Sequence, residues 1–370
     1  MAKRHYHLDT RILALFFLVG IPFVVFGSFV VVSMARGLLH DSLGQSMEQR
    51  AVQTKILLER YMGDQIVHLH LTSLDPQVRA ATTAKPSTGA EDSRKLEQAW
   101  AAGSDPRLAA ITDSPLAGRF REILSVRPAV KMLQLVDASG RLVASSGRGG
   151  RLQNAEAPWF RALTGREPYV GDINRAGPHG IPLLDISYPV WDQNEYRMLG
   201  AVRALLDTSD LYGVLAPVRI GRTGHAVLLR SSDGLVLASD ESQTVLAGPL
   251  PGFDAIGAAM RERRGYWVIP EVKETREGKE VRVEPQRLVG YSPVEQVPGA
   301  QWLVVVEQDL EEAAAPLQSV TRYLWLHLLG VFATVILLAL YFSFKLETPV
   351  IEEELHLHEE HVPPSLRKVV

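Results

Sequence analysis

Two charged residues interrupt apolar runs that otherwise read as β-strands: Asp185 within Leu183 to Val190, and Arg203 within Gly200 to Leu206. A strand alternates its side chains between faces, so Asp185 shares a face with Ser187 and opposes Ile186 and Tyr188. A charge inside such a strand lies either on a wet face or buried against a partner. If both face inward, Asp185 and Arg203 can pair with each other or with a polar ligand. The neighbouring aromatic residues Trp159 and Phe160 could floor a pocket, because rings supply large buried area of fixed shape. They serve equally well as ordinary core. A set of this kind recognises a molecule and breaks no bond in it.

Nothing else in the chain reads as a catalytic set. There is no Gly-x-Ser-x-Gly elbow, no phosphate-binding Walker loop and no His-Glu-x-x-His. The count of 0 cysteines removes disulfides, thiol nucleophiles and thiolate metal sites together. The sequence therefore predicts a protein that is not an enzyme and needs no cofactor. His356, His358 and His361 near the C-terminus could ligate a metal, but imidazoles on a short acidic tail are usually solvated, and no metal is expected. A net charge of −3 without a dense Lys/Arg run argues against a nucleic-acid partner.

The elements that must position these residues begin at the two ends. Ile12 to Ala35 carries no charge, and Tyr323 to Phe344 is interrupted only by His327. As helices these runs reach roughly 33–36 Å, enough to cross a hydrocarbon core of about 30 Å. Lys3, Arg4 and Arg11 precede the first and Lys345 follows the second, which by the positive-inside rule keeps both termini cytoplasmic. The first run is longer than the roughly 7–15 apolar residues of a secretory signal, although Ser33-Met34-Ala35 would pass as a cleavage site. The expected layout is a cytoplasmic N-terminus at 1–11, a transmembrane helix at 12–35, an exported block at 36–322, a second span at 323–345 and a cytoplasmic tail at 346–370. The predicted location is a bacterial inner membrane with the centre of the chain in the periplasm, and the lipid bilayer is itself a partner. The 25-residue tail, which contains Pro349, Pro363 and Pro364, holds no output domain, so a separate signalling partner is expected.

Within the exported block, Leu39, Leu43, Met47, Thr54, Leu58, Tyr61 and Leu69 recur at helical spacing and predict one long helix from Arg36 to about Ala81. Further on, the sequence repeats itself. Val136-Asp137-Ala138-Ser139-Gly140-Arg141-Leu142-Val143-Ala144-Ser145 is echoed by Arg230-Ser231-Ser232-Asp233-Gly234-Leu235-Val236-Leu237-Ala238-Ser239, each a strand, a polar-Gly turn and a strand. Ser187-Tyr188-Pro189-Val190 is echoed by Tyr291-Ser292-Pro293-Val294. Two copies of one antiparallel sheet module account for both echoes. The fold class is α+β: a long N-terminal helix packed on two tandem sheets.

The order of these strings resembles a family. Span, long helix and first hairpin are followed by Ala157-Pro158-Trp159-Phe160-Arg161-Ala162-Leu163, Glu167-Pro168-Tyr169-Val170-Gly171-Asp172 and Asp185-Ile186-Ser187-Tyr188-Pro189-Val190. Then come Ile220-Gly221-Arg222-Thr223-Gly224-His225-Ala226-Val227-Leu228 and Leu288-Val289-Gly290-Tyr291-Ser292-Pro293-Val294 before the second span. This is similar to the double Cache domain, the PAS-like sensor of bacterial chemoreceptors, histidine kinases and cyclic-di-GMP enzymes. The resemblance implies a membrane-distal module at 36–214 that includes the helix, a membrane-proximal module at 215–322 acting as a spacer, and a homodimer. It also implies a small-molecule ligand such as an organic acid or amine, a role in signal transduction or chemotaxis, and Tyr169 and Asp172 on the pocket wall. The family's amino-acid binders carry an Arg where this chain has Ala157. Their ammonium-pairing Asp maps near Leu205, with Asp207 two residues beyond, so an α-amino acid is not the expected ligand. The alternatives are a ligand-free dimerising spacer, an envelope-assembly protein, or the orphaned sensory half of a kinase or chemoreceptor.

Overall fold

The computed structural model describes residues 10–83, 93–103, 105–163, 165–175, 180–194, 196–239, 245–254, 257, 264–276 and 279–345. The histidines and prolines of the tail lie outside them. The chain divides into two compact units, residues 1–37 with 317–370, and residues 38–316. The helices are α1 (Thr10–Ser73), α2 (Pro76–Thr83), α3 (Ser93–Ala102), α4 (Ala109–Asp113), α5 (Pro115–Val126), α6 (Pro158–Arg161), α7 (Ser209–Leu215), α8 (Leu310–Ala313) and α9 (Ala315–Lys345).

In the first unit, the parts of α1 and α9 that belong to it lie against one another, with Gly20 placed so that a Cβ there would touch Val335 at 3.7 Å. Among the described residues no helix is long and apolar enough to cross a membrane. Residues 12–35 and 323–344 are nevertheless helical in backbone, and several of their side chains lie outside the described set.

The second unit holds the sheets. The first comprises β1 (Val130–Asp137), β2 (Leu142–Ser145), β3 (Tyr169–Val170), β4 (Asn174–Arg175), β5 (Pro182–Trp191) and β6 (Met198–Asp207). The chain continues through β7 (His225–Arg230), β8 (Val236–Ser239), β9 (Gly265–Ile269), β10 (Val272–Arg276), β11 (Lys279–Glu284), β12 (Arg287–Pro293) and β13 (Trp302–Asp309). The first sheet runs β2-β1-β6-β5-β3, the second β8-β7-β13-β12-β9, and β10 pairs with β11 alone. Five strands of the first sheet match the second in order, as the sequence echoes require, and β4 is an addition paired to β5. In both hairpins the glycine of the turn has positive φ, 78° at Gly140 and 73° at Gly234, a conformation open to Gly without cost.

The helix pattern holds with one revision. Met47, Thr54, Leu58 and Leu69 are buried, but α1 stops at Ser73 rather than Ala81. Pro76 disfavours helical backbone at Asp75, and Asp75 Oδ1 accepts from Gln77 N at 2.9 Å, capping α2 as a separate element. The helix is also shared between the modules rather than belonging to the first. Glu59 Oε1 accepts from the backbone N–H groups of Glu295 and Gln296 beyond β12 at 2.8 and 2.9 Å. Farther along, His70 stacks on Tyr188 of β5 at 4.5 Å.

Candidate ligand site

Alternation divides the first sheet into two faces of different chemistry. Ile186, Val202, Ala204, Leu133 and Leu135 pack in the same core as α1 and α5, and Tyr188 on that face meets His70. The other face carries Gln134, Arg203, Ser187 and Asp185. Register sets most of them in one row across five strands: Ser145 opposite Gln134, Gln134 opposite Arg203, Arg203 opposite Ser187, and Ser187 opposite Tyr169. Asp185 stands one alternation from Ser187 on the same face.

Asp185 and Arg203 close on each other. Arg203 Nε donates to both carboxylate oxygens at 3.0 Å, and Nη2 donates to Oδ2 at 2.6 Å. Their side chains are 15% and 18% exposed for Arg203 and Asp185 respectively. Arg203 Nη1 donates to Gln134 Oε1 at 3.3 Å, and Gln134 Nε2 donates to the Gly149 carbonyl at 2.9 Å. Ser187 Oγ donates to Asp185 Oδ1 at 3.4 Å. The charge pair is thus ringed by polar partners, the condition under which buried ions are tolerated.

Aromatic rings cover the row. Trp159 is buried on the short helix α6, which starts at Pro158 where the missing N–H costs nothing. The Arg203 guanidinium carbon lies 5.0 Å from the centre of the Trp159 ring, within cation–π range. Phe160 meets Trp159 edge to face at 5.5 Å. Trp159 packs with Trp100, Leu96, Leu142 and Leu163, with Phe160 and Tyr169 at the margin of the cluster. Burial pushes the Tyr169 hydroxyl pKa up, the Asp185 and Asp172 carboxylates push it further, and Arg203 opposes them. Tyr169 therefore stays a neutral hydrogen-bonding group throughout the physiological range.

Of the seven residues singled out in the sequence, five come together: Trp159, Phe160, Tyr169, Asp185 and Arg203. The other two point elsewhere. Asp172 forms an ion pair with Arg230 Nη1 of β7, and Arg230 Nη2 also holds Asp233 at 2.9 Å, so Asp172 ties the first sheet to the second. Asp207, at the end of β6, accepts from Ser209 N at 2.9 Å and faces Lys131 at 3.4 Å, securing the start of α7. Burial would raise the Asp207 pKa, but hydrogen bonds from the Ser209 side chain and backbone, together with Lys131, outweigh it and hold the carboxyl below its ordinary 3.8. Gln134, 2% exposed, was not foreseen as part of the site. Its signal was present, a lone amide in the apolar run Met132 to Val136.

The family model described as Cache domain matches residues 37–317. Among solved structures, the ligand-binding domain of the Pseudomonas aeruginosa PAO1 amino acid chemoreceptor PctB in complex with L-Arg is 16% identical, with 74% of this chain and 97% of that chain covered and a TM-score of 0.43. That of the Pseudomonas fluorescens chemoreceptor CtaA in complex with L-leucine is 14% identical, covering 75% and 100%, with a TM-score of 0.46. That of the Pseudomonas aeruginosa PAO1 chemoreceptor PctC in complex with GABA is 15% identical, covering 72% and 99%, with a TM-score of 0.45. No curated protein matches the chain.

Proposed function

The chain belongs to the Cache domain family, and on that premise we propose that it is a membrane-anchored extracytoplasmic receptor whose first sheet senses a small polar molecule. The observation that carries this reading is the polar row of Gln134, Arg203, Ser187 and Asp185 held under Trp159 and Phe160. An organic acid would meet Arg203, and an amine would meet Asp185. Either must open or share the pair they form, so binding exchanges one set of hydrogen bonds for another. An α-amino acid is the weaker fit, because Ala157 offers its carboxylate no grip.

A path for the signal leads out of the same residues. Gly171 N donates to the Asp185 carbonyl at 2.8 Å, and the next residue, Asp172, holds Arg230 of the second sheet. A shift of β5 on binding would reach β7 through this latch, giving the ligand different contacts in two states, as coupling requires. Anchoring rests on the two apolar runs, where side chains such as Phe23 (80% exposed) and Leu329 (69%) find no cover within the protein and suit lipid. Output passes from a homodimer of the chain to a separate partner that reads the shift, with the sheets in the periplasm and both termini in the cytoplasm.

Thermal-shift screening of the full chain in detergent against organic acids, amines, purines and amino acids tests the proposal. At least one class raises the melting temperature, and Trp159→Ala removes the rise. The saturation of the Asp185–Arg203 pair favours one other reading, a dimerising spacer with a purely structural network. That reading stands if no class has an effect.

A further inference from the structure

The second sheet repeats the order of five strands of the first, and its polar groups lie on the corresponding face. Aligning the Pro189–Ala201 pair with the Pro293–Leu303 pair puts Val305 in the place of Arg203 and Glu307 in the place of Leu205. Glu307 is thus one alternation farther along the same face. It is 3% exposed and held from two sides. His225 Nε2 lies 3.3 Å from Oε1, and Arg287 Nη1 donates to Oε2 at 2.9 Å. Arg287 Nη2 also donates to the Pro251 carbonyl at 2.9 Å. Beside this fixed cluster opens a cleft of about 790 Å³, within the range of small-molecule sites.

The chemistry of the cleft favours an anion. Among the described residues, three arginines line it, Arg219, Arg222 and Arg287, against two acidic residues, Glu307 and Asp309. Both oxygens of Glu307 are already engaged, Oε1 by the His225 ring and Oε2 by Arg287. Glu312 faces backbone instead: its oxygens accept from Arg222 N at 2.7 Å and Thr223 N at 2.9 Å. The Arg222 side chain stays 91% exposed and comes no nearer to Glu312 than 3.8 Å. Val227, Val236 and Leu250 add an apolar wall.

We propose that this cleft is a second ligand site, distinct from the one on the first sheet, and that it takes a small organic carboxylate. The anionic group meets Arg219 and Arg222, and the short apolar body rests on Val227, Val236 and Leu250. The second module is then a receptor in its own right rather than a spacer. None of these residues belongs to the first site, so either site can fail without the other.

The test is thermal unfolding of the full chain in detergent with saturating propionate, propionamide of nearly the same shape, or inorganic phosphate, at matched ionic strength. Propionate raises the melting temperature by roughly 2–4 °C, and propionamide does not. The rise disappears in the double variant Arg219→Gln/Arg222→Gln. It also disappears in Gly248→Phe, which fills the cleft from a position where an added Cβ meets nothing within 4 Å. No rise with propionate, an equal rise with propionamide, a rise with phosphate alone, or a rise kept in either variant overturns the proposal.

Discussion

Breaking the Asp185–Arg203 pair from one side should cost far more than removing it whole. The pair makes three short contacts, at 3.0, 3.0 and 2.6 Å, and its side chains are less than a fifth exposed. Removing one member of a buried pair leaves the other charged and poorly solvated, at about 3–5 kcal/mol. The residual access to water places Asp185→Leu and Arg203→Leu at the lower end, about 3 kcal/mol each. The double variant strands no charge, and its two leucines extend the apolar surface under Trp159 and Phe160. It should therefore be no worse than either single variant, with a coupling energy of at least about 3 kcal/mol. Urea unfolding of the full chain in detergent, followed by tryptophan fluorescence, measures all four proteins. Single losses below about 1 kcal/mol that simply add in the double variant would show a solvated surface pair and refute the buried network.

Three further outcomes follow from the geometry. Glu59→Ala strands the N–H groups of Glu295 and Gln296 and should destabilise the chain by about 2–3 kcal/mol in the same assay, with Glu59→Gln recovering part of the loss. Gly290→Ala places a Cβ 2.1 Å from the Met47 carbonyl carbon and should cost about 3 kcal/mol by forcing α1 off β12. The folded-state pKa of Asp207 is depressed, so its contribution is fully present above about pH 4, the unfolded value, and is lost as pH falls through the folded one. Unfolding measured between pH 7 and pH 3 should show a shallower acid loss in Asp207→Asn than in the wild type.

The tandem sheets were legible because hairpin turns and strand alternation are local signals: Gly140 and Gly234 mark equivalent turns, and the face shared by Asp185 and Ser187 follows from counting by two. The pairing of Asp185 with Arg203 was an open possibility in sequence, since neither residue shows which strand lies beside it. Register decided it. Asp172 and Asp207 left the site for reasons that no single strand reveals. Asp172 sits in a loop whose partner, Arg230, is 58 residues away, and Asp207 ends its strand where a helix begins. That second outcome had a local trace, because Asp-Thr-Ser before an apolar run is helix-start composition. The sharing of α1 between both modules depends on Glu59 meeting residues more than 200 positions later, beyond the reach of any periodicity.

The most direct test of the receptor reading is isothermal titration of the full chain with organic acids and amines, with Trp159→Ala and Arg203→Leu in parallel. A saturable heat in the wild type that is lost in Trp159→Ala, and for an organic acid in Arg203→Leu as well, is the predicted result. Heats indistinguishable from dilution for every compound, or binding that is untouched in both variants, would contradict the account.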